Sequence, residues 1–128
     1  MELLQKLCSI HSPSGEEGAI KDFILKYIEE NSSSWKQNPK IFYDEEFGDS
    51  ITLIFGTPRT AIFAHTDTVG YTVAYNNSLV KIGSPQAPHN TKLRGYINTN
   101  LVECLLQVDE SEDGVKLSYS CEHEFKRG

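Results

Sequence analysis

The sequence predicts an α/β first part that continues into a β-rich second part. Apolar residues recur at helical spacing before residue 31, short β-rich runs separated by turn residues dominate from residue 40, and an unbroken apolar run stands at 61–64. With 128 residues, 38% of them hydrophobic, the chain can build one domain or parts of two. We place the change near residues 75–77, which divides the chain into 1–75 and 76–128.

Composition and charge exclude several classes of protein. The formal net charge is -6 and no block of Lys or Arg occurs, so the basic face of a nucleic-acid binder is missing. The opening MELLQKLCSI mixes charged and apolar residues, so neither a signal peptide nor a membrane span is predicted there. Cys8, Cys104 and Cys121 lack paired short spacing, which is typical of reduced core thiols. We expect a cytoplasmic protein with neither nucleic acid nor membrane as a partner.

Two amphipathic helices are predicted in the first third of the chain. The first is indicated by Leu3, Leu4, Leu7 and Cys8, and the second by Ile20, Phe23, Ile24, Tyr27 and Ile28. Between them, SPSGEE fits a capping box in which the Ser14 hydroxyl and the Glu17 carboxylate each accept a hydrogen bond from the other residue's amide. The second helix should therefore begin near Ser14 and end in the serine-rich stretch that follows residue 30.

Strands are predicted from residue 40 onward. The runs are KIFYD, SITLIFG, TAIFAH, YTVAY, SLVKI, KLRGYI, LVECLLQV and VKLSYSC, with DESEDG as the turn before the last. In TAIFAH, residues 61–64 are apolar or small at every position, which is typical of a strand buried on both faces of an α/β sheet. The last run alternates, with Val115, Leu117, Tyr119 and Cys121 on one face.

A histidine and an aspartate follow the apolar run, at positions 65 and 67. Ligands of α/β sheets bind beyond the carboxyl ends of central strands, where this pair would lie. In extended chain the two side chains share one side, so Asp67 can accept a ring N–H of His65 while the other nitrogen binds a metal. Chance gives ~0.2 such triplets in this composition, so the triplet alone is weak. Two interpretations of the pair therefore stay open: a metal ligand with its orienting carboxylate, or two hydrogen-bonded residues at the end of a strand.

The order of these motifs resembles the amino end of the glutamyl aminopeptidase-like metallopeptidases, which include the tetrahedral aminopeptidases. The resemblance covers about residues 1–75: two short helices around SPSGEE, then EEFGDSITLIFG, then AIFAHTDTVGYTV. Its most specific part is the apolar strand that ends in His-x-Asp and continues through Val-Gly-aromatic. The resemblance implies the amino-terminal part of a zinc-peptidase α/β sandwich, followed by the start of a β-rich inserted domain used in self-association.

The resemblance also implies the chemistry of a metal-dependent aminopeptidase acting on peptide substrates. Two divalent metal ions are implied, usually zinc, and His-x-Asp also suits cobalt or manganese. His65 matches a metal ligand and Asp67 the catalytic carboxylate beside it, with a bridging water attacking the peptide carbonyl. The other ligands and the glutamate base are expected beyond residue 128, so the chain itself should be an inactive fragment of a homo-oligomeric enzyme. In such a fragment, Ile62 and Phe63 should be partly exposed.

Two other functions remain open. Thr68 stands where these aminopeptidases commonly have Glu, which bears on substrate preference or metal tuning. It also makes HTDTV similar to the aminoacylase and carboxypeptidase metallopeptidases, although their Gly-Arg-Gly-x-x-Asp-x-Lys segment is missing here. The third hypothesis is a non-catalytic β-rich binding or assembly protein in which His65 is structural.

Overall fold

The structure is a computed structural model that describes residues 2–112 and 114–126. It divides into two compact units: unit 1 ends at Thr68 and unit 2 begins at Val69. The mixture of helices and strands agrees with the predicted α/β class at this coarse level. The division falls before residues 75–77, because the strand that begins at Gly70 pairs within unit 2. The assignment of the two parts as catalytic and inserted domains stays a prediction.

Unit 1 begins with two helices, α1 (Glu2–Ser9) and α2 (Gly18–Asn31). α2 buries Ile20 and Ile28, which lie on one face and are 5% and 2% exposed. It ends where the serines follow, as predicted, and a short 3₁₀ turn continues the chain. None of the described residues of α1 is buried, so the prediction that Cys8 is a core thiol is wrong and its side chain is exposed.

The predicted capping box before α2 is also wrong. α2 begins at Gly18 rather than near Ser14, and its N-cap residue Glu17 makes no side-chain cap bond. The Glu17 carboxylate instead accepts a hydrogen bond from the Gly15 N–H at 2.9 Å. Gly15 has a φ of +93°, a conformation that glycine adopts readily and that allows the chain to turn before the helix.

Residues 61–64 do not form the predicted buried strand. Unit 1 contains one antiparallel pair, β1 (Lys40–Phe42) with β2 (Thr52–Ile54), and these two strands pair only with each other among the described residues. A central strand needs hydrogen-bonded neighbours along both edges, and residues 61–64 have none. Ile62 and Phe63 are each 92% exposed, which agrees with the expectation for this run without its neighbours.

Unit 2 consists of two antiparallel sheets. The first pairs β3 (Gly70–Val73) with β4 (Leu79–Ile82), and the second has the order β5 (Lys92–Ile97), β6 (Asn100–Ser111), β7 (Gly114–Ser120). These strands match the runs predicted from the sequence. No helix among the described residues has the length and apolar character needed to cross a membrane. The cytoplasmic location stays a prediction.

The core of unit 2 lies on one face of the three-stranded sheet. Leu106 is fully buried there in a cluster with Leu79, Cys104 and Tyr119. The Tyr119 hydroxyl donates a hydrogen bond to Asn77 Oδ1 at 3.1 Å. Leu106 of β6 pairs with Tyr119 of β7, so the face of β7 for which alternation predicts Tyr119 is the face that contributes to this core.

Residues 121–126 continue the core beyond β7. The Phe125 ring packs edge-on against Tyr119 with centroids 5.2 Å apart, and the Phe125 N–H donates to the Tyr119 hydroxyl at 3.0 Å. On β5, a Cβ atom added at Gly95 would lie 2.8 Å from Phe125 Cε1. The aromatic ring therefore fills the space that a larger residue at position 95 would need.

Candidate functional site

The segment that carries the His-x-Asp motif is held by the loop between α1 and α2. The Thr68 N–H donates to the Ser12 carbonyl oxygen at 2.8 Å, and the Ser12 hydroxyl donates to the Thr66 carbonyl oxygen at 3.3 Å. Pro13 forms a parallel bridge with Thr68, and Ser12 is 0% exposed. Residues 66–68 are thus fixed to this loop, although the apolar run before them is exposed.

His65 and Asp67 contact each other. His65 Nδ1 lies 3.3 Å from Asp67 Oδ1 and 3.0 Å from the Asp67 carbonyl oxygen. Both oxygens are acceptors, so Nδ1 carries the ring proton. A neutral ring in this tautomer keeps its lone pair on Nε2, which is the form that binds a metal. The contact is the one that the spacing predicts, and the metal role of His65 stays a prediction.

Exposure shows how much of this pair is accessible. The His65 side chain is 84% exposed, whereas the Asp67 side chain is 39% exposed. Asp67 lies between Thr66 and Thr68, whose backbones bond to Ser12, so its position is set by the loop. The arrangement therefore consists of an aspartate whose flanking backbone is held in place and a histidine whose imidazole is accessible.

A complete metal site needs more ligands than this pair supplies. Catalytic zinc sites take at least three ligands from the protein, and structural sites take four. Among residues 2–112 and 114–126, no group of three or more His, Cys, Asp or Glu is arranged to hold a metal ion. His65 and Asp67 therefore fit one ligand and its orienting carboxylate, and other ligands would have to come from elsewhere.

Ser12 is the residue of this site that the sequence analysis missed. Its backbone carbonyl and its hydroxyl both bond to the segment that contains Asp67. In the sequence it is a small polar residue beside Pro13, a combination common to many turns. Only the fold shows that this turn contacts residues 66–68.

A shallow depression in unit 2 is a poorer candidate. It has a volume of about 380 Å³, and its lining includes Lys92, Glu103 and Glu122. The charged residues of its lining have both signs, and neither His65 nor Asp67 is among them. We therefore base the candidate site on the contact between His65 and Asp67.

No protein-family model matches this chain, and no curated protein matches its sequence. The resemblance to the glutamyl aminopeptidase-like metallopeptidases therefore rests on the motifs and their order alone.

Proposed function

We propose that this chain contributes His65 and Asp67 to the two-metal site of an aminopeptidase whose other ligands and general base lie in further residues of a longer protein. The observation that supports this most directly is the contact of His65 Nδ1 with Asp67, which leaves Nε2 available. The resemblance supplies the reaction: hydrolysis of the amino-terminal bond of a peptide. It also supplies the cofactor, two divalent ions, with zinc as the first choice and cobalt or manganese as alternatives.

Each residue has a separate role in this proposal. His65 binds one metal ion through Nε2. Asp67 accepts a hydrogen bond from the Nδ1–H of His65, which fixes the tautomer of the ring and makes Nε2 a stronger donor to the metal. Asp67 is therefore a positioning residue. When bound, the metal ions polarise the peptide carbonyl and lower the pKa of a bound water. Ser12 keeps the backbone on either side of Asp67 in place.

Variants of the longer protein test these roles. His65→Ala should abolish both metal retention and peptide hydrolysis, because a ligand is removed. Asp67→Asn keeps the shape but weakens the hold on the ring, and we expect about a 10- to 100-fold loss of metal affinity or activity. Asp44→Asn, at an exposed loop position, is the matched control and should change neither. Elemental analysis and a peptidase assay, before and after dialysis against a chelator, measure both properties.

Two results would contradict the proposal. One is full activity of the His65→Ala protein, and the other is peptidase activity that survives complete removal of metal. The 128-residue chain gives an independent check, because a single imidazole should bind zinc weakly. Tight stoichiometric zinc binding by this chain in a titration would contradict the ligand assignment.

We also propose that unit 2 mediates self-association. The face of its three-stranded sheet opposite the core carries Tyr96, Leu101 and Leu105, which are 48%, 53% and 39% exposed. On the same face, Arg94 Nε donates to Glu103 at 3.1 Å, and Glu103 lies between Leu101 and Leu105, so apolar and charged side chains alternate across this surface. Exposed apolar side chains that stand beside polar and charged ones occur at protein interfaces. This observation would equally suit the non-catalytic assembly protein.

Light scattering tests the proposed interface. Leu101→Ser should lower the mass of the assembly, whereas Val80→Ser, at another exposed apolar position of unit 2, should not. An unchanged mass for the Leu101→Ser protein would contradict this role. Metal analysis separates the enzyme from an assembly protein without catalysis, which would hold no catalytic metal. Assays on peptides with blocked amino termini separate an aminopeptidase, which should not cleave them, from an enzyme with aminoacylase or carboxypeptidase chemistry.

A further inference from the structure

Cys104 lies on β6, and Cys121 is the first residue after the neighbouring strand β7. β6 and β7 are antiparallel, and Leu105 of β6 is the partner of Ser120 of β7. Cys104 precedes Leu105 and Cys121 follows Ser120, so the register, continued by one residue beyond the end of β7, sets the two cysteines opposite each other. Both lie on the core face, because Cys104 belongs to the buried cluster and Cys121 packs against it.

Backbone hydrogen bonds show which kind of pair the cysteines form. In the central strand of an antiparallel sheet, each residue directs its N–H and C=O toward one neighbour, and residues two apart share that neighbour. The Leu106 N–H donates to the Thr91 oxygen at 2.9 Å, and the Leu106 oxygen accepts from the Asn90 N–H at 2.8 Å, both on the β5 side. Cys104 therefore also directs its backbone groups toward β5. Across β6 and β7, Cys104 and Cys121 are a non-hydrogen-bonded pair.

Non-hydrogen-bonded pairs bring opposing side chains closest together. Their Cα atoms are about 4.5 Å apart, and their Cβ atoms are closer than in hydrogen-bonded pairs. A disulfide needs Cα atoms about 4.4 to 6.8 Å apart and Cβ atoms about 3.5 to 4.5 Å apart, so the Cα separation of such a pair suits a disulfide. We propose that Cys104 and Cys121 are a thiol-oxidation site that peroxides convert to a reversible disulfide.

The different exposure of the two thiols sets the order of the reaction. Cys104 is 8% exposed and Cys121 is half-buried, so the oxidant reaches Cys121 first. Burial, together with the neighbouring Cys121, raises the pKa of the Cys104 thiol, which keeps it protonated and slow to react with a free oxidant. The Cys121 thiol donates a hydrogen bond to the His123 oxygen at 2.8 Å, and this bond is lost when Cys121 reacts.

The oxidation proceeds in two steps. The Cys121 thiolate attacks one peroxide oxygen, the O–O bond breaks, and the departing hydroxide takes up a proton to become water, which leaves Cys121 as a sulfenic acid. The Cys104 sulfur, having lost its proton, attacks the Cys121 sulfur, the S–O bond breaks, and a second water leaves. Each thiol loses one electron and one proton, and hydrogen peroxide gains two electrons and becomes two waters.

Oxidation of the folded 128-residue chain tests this inference. A Cys8→Ser variant retains only the two cysteines of interest. The variant is treated with hydrogen peroxide and then with an alkylating reagent in denaturant. We expect neither cysteine to be alkylated and the mass to be about 2 Da below that of the reduced, unalkylated chain. Lys116 separates the cysteines, so trypsin without reductant should release residues 95–116 linked to residues 117–126. Dithiothreitol should restore both thiols.

A neighbouring pair serves as the matched control. Leu105→Cys with Ser120→Cys, in a chain whose three native cysteines are changed to serine, places two thiols at the adjacent hydrogen-bonded pair. These thiols are farther apart, so less of the linked product should form at the same peroxide concentration. Two free thiols after peroxide treatment, a Cys121 sulfinic acid without linked peptides, or linkage only between separate chains would overturn the proposal.

Discussion

Units 1 and 2 differ in how their buried apolar side chains are arranged. Unit 2 gathers four of its apolar side chains into one buried cluster around Leu106, with residues such as Leu93 and Val108 packed against it, although others such as Val80 and Leu101 are exposed. Among the described residues of unit 1, the buried apolar side chains are Ile20 and Ile28. Its second half leaves large apolar residues exposed, namely Ile41, Phe42, Tyr43, Phe47, Phe55, Ile62 and Phe63. Each Å² of such surface covered by further structure would contribute about 25 cal/mol, so covering these side chains would stabilise this half of unit 1.

The largest expected effect compares one leucine in unit 2 with one isoleucine in unit 1. Leu106→Ala should lower the free energy of unfolding by about 2 to 5 kcal/mol, because the change leaves a cavity at a fully buried position. Ile62→Ala should change it by less than about 0.5 kcal/mol, because the side chain is 92% exposed. Urea unfolding followed by fluorescence and circular dichroism measures both values.

Equal losses in these two variants would remove the contrast between the units. A large loss for Ile62→Ala alone would show that residues 61–64 are buried in solution. A small loss for Leu106→Ala would show that the core of unit 2 can collapse around the missing side chain.

A smaller effect is expected from the hydroxyl of Tyr119. Tyr119→Phe removes the acceptor of the Phe125 N–H and the donor to Asn77, and we expect a loss of about 1 to 3 kcal/mol. Tyr43→Phe, at an exposed position of unit 1, is the matched control and should cost less than about 0.5 kcal/mol. If the two variants have the same urea midpoint as the parent chain, the hydroxyl contributes nothing to the core.

The smallest effect concerns alkaline pH and Cys104. Its pKa is raised above the ordinary value of 9.0, first by burial and then by Cys121, so the folded state keeps the proton to higher pH than the unfolded state. This contribution to stability is complete below about pH 9 and is lost as pH rises toward the folded pKa. Urea midpoints between about pH 8 and about pH 10, in reductant, should therefore fall less steeply for Cys104→Ala than for the parent chain. Cys8→Ala, at an exposed thiol, should keep the parent slope, and identical slopes for all three chains would contradict the shift.

The strands of unit 2 could be predicted from the sequence because the information is local. Alternation along β7 places Leu117 and Tyr119 on one face, and the register of the hairpin with β6 keeps them there. The contact between His65 and Asp67 was predictable for the same reason, since they lie two positions apart and extended chain turns both side chains to the same side.

Long-range contacts explain the wrong strand at residues 61–64 and the missed role of Ser12, whereas a competing local contact explains the wrong capping box. Residues 61–64 have the composition of a buried strand, but a strand forms only where neighbours supply hydrogen bonds, and composition does not reveal these neighbours. The bond from Ser12 to Thr66 joins residues 54 positions apart, and no local pattern indicates it. The capping box failed because the Glu17 carboxylate bonds to Gly15, a competing local contact with an equally short range.

The position of the Phe125 ring against Gly95 has a consequence for how this sequence can change over time. An added methyl group at position 95 would lie 2.8 Å from the ring, so alanine there requires the ring to move or to be replaced by a smaller side chain. Glycine inside a strand is otherwise unfavourable, and the ring compensates by covering the bare backbone. A side chain gained at position 95 should therefore be accompanied by a change in the position or the size of the residue at 125.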